Sequence, residues 1–212
     1  MNYRAYVFDF DYTLVYSEIA ILACFRHIFE INGFSGISDY DIKATIGMSL
    51  SEAISMLTGI TDLTALDDLK REYRQHADSI MAKNTFLYPS VPKLLRDIRN
   101  LGSVSAIVSN KYRFRIEESI RMYCLDDLFT LVLGPEDFSR FKPDPEGLLL
   151  AVEKLGVLPS ETLYIGDSII DAQTAMNSGI DFAAVTTGPT PADSFLTFPH
   201  VKIIPDLSFL LI

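Results

Sequence analysis

Four acids and one lysine, Asp9, Asp11, Asp167, Asp171 and Lys142, stand at positions in this 212-residue chain where they could do chemistry together. Asp9 and Asp11 close the run Ala5-Tyr6-Val7-Phe8, which is short and apolar and reads as a buried strand. Residues two apart in an extended chain point the same way, so both carboxylates face one side and repel each other. Such a pair needs a counter-charge. Asp167 follows a second apolar run, with Asp171 four residues later. Lys142 lies in the loop Phe141-Lys142-Pro143-Asp144-Pro145, and Ser109-Asn110-Lys111 ends a third run. Gathered in one cleft, four carboxylates beside one ammonium would be under-compensated. A divalent cation would relieve them, and an oxygen-only donor set selects Mg2+ over zinc, which prefers histidine and cysteine.

The elements that must gather these groups are legible as alternating patterns. Strand-like runs occupy residues 5–8, 104–108, 130–133, 163–165, 182–185 and 201–204. Between them lie helical stripes. Ser90 opens one that carries Leu94, Leu95 and Ile98 and stops at Gly102; Asp144 before Pro145 opens another that runs to Gly156. Strand and helix in alternation predict a parallel sheet with helices on both faces, whose function collects at the carboxyl ends of the strands. Residues 17–83 break the alternation with four helical patterns, opened by Ser17, by Ser38 or Asp39, by Ser49 and by Thr64. This segment directly follows the acidic strand end. It reads as a lid, with four extra helices packed on the main domain as the plainer alternative.

Composition narrows the function. A net charge of −10 argues against nonspecific nucleic-acid binding. Hydrophobic residues make up 49% of the chain, enough for a real core. Cys24 and Cys124 are far apart and lack metal-ligand spacing, which points to thiols in a reducing compartment. His27, His76 and His200 are equally scattered. The most apolar helical stretch, 19–31, is too short to span a bilayer and is broken by Arg26, His27 and Glu30. The chain starts without a secretory pattern. The expectation is a cytoplasmic protein with no membrane and no nucleic-acid partner.

Four motifs occur in order: Asp9-Phe10-Asp11-Tyr12-Thr13, Ser109-Asn110-Lys111, Lys142-Pro143, and Gly166-Asp167 with Asp171. In these the chain resembles the haloacid dehalogenase superfamily of phosphohydrolases, in particular members similar to phosphoglycolate phosphatase and β-phosphoglucomutase. The resemblance implies an α/β fold. Residues 1–14 and 85–212 would form a Rossmann-like three-layer core with a parallel sheet of order 5-4-1-2-3, and 15–84 an inserted all-helical cap. It implies a Mg2+-dependent phosphatase acting on a small phosphorylated metabolite, phosphoglycolate- or sugar-phosphate-like, through an aspartyl-phosphate.

The resemblance also implies roles. Asp9 is the nucleophile, Asp11 gives and takes the proton, and Lys142 offsets charge. The Asp9 carboxylate, the Asp11 carbonyl and the Asp167 carboxylate hold Mg2+, while Asp171 holds either the metal's waters or Lys142. Thr13, Ser109, Asn110 and the Tyr12 amide contact substrate, with the Tyr12 ring under the cap, in the cleft or in the core. Ser109 reads equally as a helix cap, and Lys111 as a solvated lysine or a substrate contact. Two alternatives stay open: a phosphomutase that returns the phosphoryl group to a sugar phosphate, and a non-catalytic binding protein on the same fold. The family usually has glycine at Tyr12 and aspartate at Tyr16. Asp11 argues against the dehalogenase branch, which lacks an acid there. Gly166 stands where the mutase branch tends to carry an extra acid.

Overall fold

The structure, a computed structural model, describes residues 3–211. In chain order the elements are β1 (Ala5–Phe8), β2 (Val15–Tyr16), α1 (Glu18–Ile31), α2 (Asp39–Lys43), α3 (Leu50–Thr58), α4 (Leu63–Ile80), β3 (Phe86–Leu87) and α5 (Val91–Asn100). There follow β4 (Val104–Val108), α6 (Arg113–Met122), β5 (Leu131–Leu133), α7 (Glu146–Leu155), β6 (Thr162–Gly166), α8 (Ile169–Ser178), β7 (Asp181–Val185) and β8 (Lys202–Ile204).

Six strands form one parallel sheet in the order β5-β4-β1-β6-β7-β8. Without the two-residue β2 and β3, which pair antiparallel as a separate ribbon, this is the expected order read from its other edge, with one further strand beside the fifth. β1 is central, with Phe8 in register between Ile107 of β4 and Ile165 of β6. Alternate residues of β1 serve different faces. Tyr6 and Phe8 pack with Leu94, Leu95, Ile98 and Ile116 from α5 and α6, whereas Val7 packs with Leu148, Ala151 and Ala172 from α7 and α8. Burial on both faces explains why β1 reads as an unbroken apolar run rather than an alternating one.

The helices α1 to α4 bury a third cluster of their own, built from Phe25, Ile28, Ile42, Ile54, Leu66 and Tyr73 among others. Ser38 and Ser49 each close a reciprocal cap, with Asp41 and Glu52 respectively. The start of α4 differs from the sequence expectation, since Asp62 rather than Thr64 accepts the amide that caps it. Ser17 precedes α1 but makes no side-chain cap; its hydroxyl goes to Asp11 instead. Among the described residues, no helix is long and apolar enough to cross a membrane.

Candidate active site

Every expected site residue reaches the carboxyl edge of the sheet, because the central strands β1, β4 and β6 end there side by side. Asp9 leaves β1, Ser109 leaves β4, and Asp167 leaves β6. Lys142 comes from the long loop between β5 and α7, and Asp171 from the first turn of α8.

Lys142 organises the centre. Its Nζ lies 2.6 Å from Asp9 Oδ1, 2.6 Å from Asp171 Oδ1 and 3.1 Å from the Tyr164 hydroxyl. The Tyr164 hydroxyl donates to Asp171 Oδ1 at 2.8 Å. All four residues are buried. Burial works against the ammonium, but Asp171 and Asp9 hold Lys142 well above the usual lysine range. Tyr164 was not singled out from the sequence. The signal was there: a tyrosine inside the apolar run of β6 needs a polar partner once buried.

The carboxylates divide by what their oxygens already do. Both oxygens of Asp171 are in use, Oδ1 by Lys142 and Tyr164, and Oδ2 by the backbone and hydroxyl of Ser168 in the cap of α8. Among the described residues, the Asp9 carboxylate engages only Oδ1, and that of Asp167 accepts only from Thr13 Oγ1, at 3.3 Å. Asp9, Asp167 and Asp171 can bring one oxygen each within 4.8 Å of one another. Three carboxylates against the one ammonium of Lys142 leave two negative charges in a buried cluster. Burial and this crowding raise the carboxyl groups of Asp9 and Asp167. Burial pushes Asp9 up to about 6, only partly opposed by Lys142, with Asp171 raising it further. Burial, Asp171 and Asp9 together hold Asp167 well above the usual carboxylate range. A divalent cation carries the two missing charges, and the oxygens free to take it belong to Asp9 and Asp167. The Asp11 carbonyl accepts no hydrogen bond among the described residues and leaves the same strand end. The donor set therefore fits a hard divalent cation.

Two glycines keep this cluster closed. A Cβ on Gly188, in the loop after β7, would sit 1.9 Å from Asp167 Oδ2, and one on Gly166 would sit 2.4 Å from Asp171 Cγ. Neither position tolerates a side chain while those acids stay in place. Gly188 was invisible in the sequence because nothing there marked the end of β7 as part of the site.

Asp11 stands apart from the cluster. Ser17 Oγ and Lys111 Nζ both bind its Oδ1, the latter at 2.8 Å, and Oδ2 has no partner among the described residues. Lys111 is therefore paired rather than solvated, and it lines the cavity beside Asp11. Ser109 does not cap α6, which starts after Tyr112; its Oγ accepts from the Lys111 amide at 3.3 Å. Asn110 spends its amide on the chain itself: Oδ1 accepts from the Lys142 amide, and Nδ2 donates to the Lys142 and Gly47 carbonyls. Thr13 is fully buried against Asp167.

Tyr12 corrects one expectation. Its amide donates to the Val15 carbonyl at 2.8 Å and is not free to hold an anion. Its φ is 58°, the left-handed region in which glycine is the favoured residue. The ring is buried, and its hydroxyl donates to Glu18 at 2.6 Å. Glu18 in turn pairs with Lys43 of α2.

A cavity of about 100 Å3 separates the sheet edge from the helical segment. Asp9, Asp11, Ser109 and Lys111 form its floor; Phe25, Met48, Tyr73 and Arg74 belong to its helical wall. The loop around Gly47 touches the floor directly through Asn110. Among the histidines, His27 and His76 prove not to be scattered, since their rings stack at 4.0 Å between α1 and α4.

The family profile described as haloacid dehalogenase-like hydrolase matches residues 6–185. A solved structure from Bacteroides fragilis, provisionally named a haloacid dehalogenase-like hydrolase, is 46% identical with a TM-score of 0.96, covering 99% of this chain and 100% of that one. A structure from Lactobacillus plantarum, provisionally named a phosphoglycolate phosphatase, is 26% identical with a TM-score of 0.88, covering 100% and 99%. Among curated proteins, pyrophosphatase PpaX of Bacillus cereus is 28% identical over 190 residues, 88% of this chain and 84% of its own length. N-acetylmuramic acid 6-phosphate phosphatase of Pseudomonas aeruginosa is 26% identical over 189 residues, 89% and 84%.

Proposed function

Since this chain belongs to the haloacid dehalogenase-like hydrolase family, we propose that it is a Mg2+-dependent phosphatase that hydrolyses a small phosphate ester through an aspartyl-phosphate. The observation that carries the reading is the division of oxygens at the floor of the cavity. Asp9 and Asp11 each have one oxygen held by a lysine and one without a partner among the described residues.

Uncatalysed phosphate monoesters are exceptionally slow to hydrolyse, and a carboxylate nucleophile replaces one difficult displacement by two easier ones. In the first, the Asp9 oxygen not bound to Lys142 attacks phosphorus, the P–O bond to the leaving group breaks, and Asp11 gives its proton to the departing oxygen. In the second, Asp11 takes a proton from water, the resulting hydroxide attacks phosphorus, and Asp9 leaves as carboxylate with inorganic phosphate released. Lys142 and the Ser109 hydroxyl offset phosphoryl charge near Asp9. Asp9, Asp167 and the Asp11 carbonyl are the residues that would hold the cation, which when bound neutralises the phosphoryl oxygens. Asp171, with both oxygens occupied, keeps Lys142 in place. The helices α1 to α4 serve as the cap that closes over the ester and excludes water.

Transfer of the phosphoryl group to a second sugar phosphate is disfavoured, because an acid at position 166 has no room beside Asp171. The two curated relatives are named for pyrophosphate and for an amino-sugar phosphate, so chemistry rather than one substrate is shared. The test is phosphate release from a panel of esters, with and without Mg2+. Turnover that depends on Mg2+ and vanishes in Asp9→Asn supports the reading. No release from any ester in the presence of Mg2+ defeats it.

A further inference from the structure

Resting on the phosphatase reading for its reaction, we infer that the leaving group of the substrate carries a second oxyanion, a carboxylate or another phosphoryl group, bound by Arg74 on the cap. Arg74 projects from α4 into the wall of the cavity whose floor holds Asp9 and Asp11. The other two cations that line the cavity are already neutralised. Lys111 is paired with Asp11, and Arg115 with Asp78 and Glu118. Arg74 has no carboxylate within ion-pair distance among the described residues. Asp78, one turn further along α4, is committed to Arg115, and Asp67 pairs with Lys70.

The guanidinium is nevertheless held in place. Its carbon lies 4.6 Å from the centroid of the Tyr112 ring, and Nη2 donates to the Tyr112 hydroxyl. Its Nε is buried with no hydrogen-bond partner at all, alone in this respect among the buried side-chain nitrogens and oxygens of the described residues. A buried donor on a permanent cation is costly to leave unmade. Arginine cannot escape the cost by losing its proton, as lysine can. The group that satisfies it is an acceptor, and an anionic one is favoured: Asp67 feels the Arg74 charge but lies beyond ion-pair distance and pairs with Lys70, and Phe25, Ile46 and Met48 of the same cavity supply no counter-charge. A planar fork clamped on an aromatic face suits the two oxygens of a carboxylate or phosphoryl group. The cavity thus has two anion-seeking ends, one at the floor for the scissile phosphoryl group and one at Arg74 for the far end of the same small molecule.

The experiment uses the full chain and compares kcat/KM for three esters: 2-phosphoglycolate, inorganic pyrophosphate, and 2-hydroxyethyl phosphate, the uncharged counterpart of the first. The native protein should prefer at least one of the two anionic substrates over 2-hydroxyethyl phosphate by about tenfold or more, as expected for a charge-assisted contact. Whichever is preferred identifies the oxyanion. Arg74→Gln should collapse that ratio, and Arg74→Lys should restore part of it. A general structural defect would lower all three substrates together and leave the ratio intact. Independently of turnover, calorimetry should show 3-phosphonopropionate binding about tenfold or more tightly than propylphosphonate, with the difference lost in Arg74→Gln. If Arg74→Gln does not fold, Arg74→Lys and the native comparison decide. Equal kcat/KM for the charged and uncharged esters in the native protein, or a ratio that survives Arg74→Gln, overturns the assignment. Absence of turnover on every ester would count against the phosphatase reading alone, and the phosphonate pair would still decide on Arg74.

Discussion

Lys111 Nζ sits 2.8 Å from Asp11 Oδ1, with both side chains nearly buried, and Ser17 donates to the same oxygen. One oxygen of Asp11 is thereby fixed, and the other is left for proton transfer above the cavity floor. A lysine that the sequence left as either a solvated group or a substrate contact is thus tied to the residue proposed to move the proton.

Asp11→Asn should hurt poor leaving groups most. Proton donation matters little when the departing oxygen is already stable, and loss of general acid–base catalysis costs roughly 10²- to 10⁴-fold. Lys111→Met should show the same bias with a smaller loss, since it removes only the clamp. Steady-state rates on an alkyl phosphate beside nitrophenyl phosphate measure this. An equal loss on both esters would assign Asp11 and Lys111 to structure.

Asp9→Asn should abolish turnover while making the cation-free protein more stable near neutrality. Burial raises Asp9 from 3.8 to about 6, so the folded state holds a proton that the unfolded chain has released. Its favourable contribution is complete below the unfolded value and is lost as pH rises through about 6. The stability lost by neutral pH is on the order of 3 kcal/mol. Melting temperatures in chelator between pH 4 and 8 should fall with rising pH more steeply for the native protein than for Asp9→Asn. Parallel curves would contradict the buried-charge account.

Removal of divalent cation should abolish activity, and added Mg2+ should restore it. Asp167→Ala should weaken Mg2+ binding strongly, because so few protein oxygens are available. Gly188→Ala tests the same point without touching a ligand. Its Cβ would intrude to 1.9 Å from Asp167 Oδ2, and displacing that carboxylate should weaken Mg2+ binding roughly 10- to 100-fold. Titration of each variant with Mg2+, followed by calorimetry, gives the answer. Native affinity in Gly188→Ala would remove Asp167 from the cation site.

Tyr12→Gly should keep the reaction and cost stability. Relief of the left-handed backbone is worth about 1–2 kcal/mol, whereas deleting a buried aromatic ring costs roughly 3–5 kcal/mol. Loss of the ring outweighs relief of the backbone, so the melting temperature should drop. Tyr12→Phe removes only the bond to Glu18 and should lose about 1 kcal/mol with turnover preserved. Denaturant unfolding and steady-state rates on both variants check this. A collapse of turnover in folded Tyr12→Phe would place the phenol in the chemistry.

The strands and the acids at their ends were legible because strand patterns are local and strand ends are marked by abrupt changes from apolar to acidic residues; the order of the strands came only with the family resemblance. Val7, Phe8 and Asp9 state in consecutive letters that a buried strand stops at a charged group. The same locality explains why Ser38 and Ser49 could be recognised as caps, since their partners lie three residues away. What only the tertiary structure decided are relationships between residues distant in sequence. Asp11 meets Lys111 across 100 positions, Lys142 meets Asp9 across 133, and Gly188 closes on Asp167 from a different strand end. At Tyr12 the family's usual glycine was the one sign of a left-handed backbone, and only the structure shows that the tyrosine adopts it with its ring buried. Arg74 was hidden because a sequence records that a cation exists and not whether a carboxylate reaches it. Pairing is settled by which surfaces the fold brings together, and among the described residues the fold gives every cation around the cavity a carboxylate except Arg74.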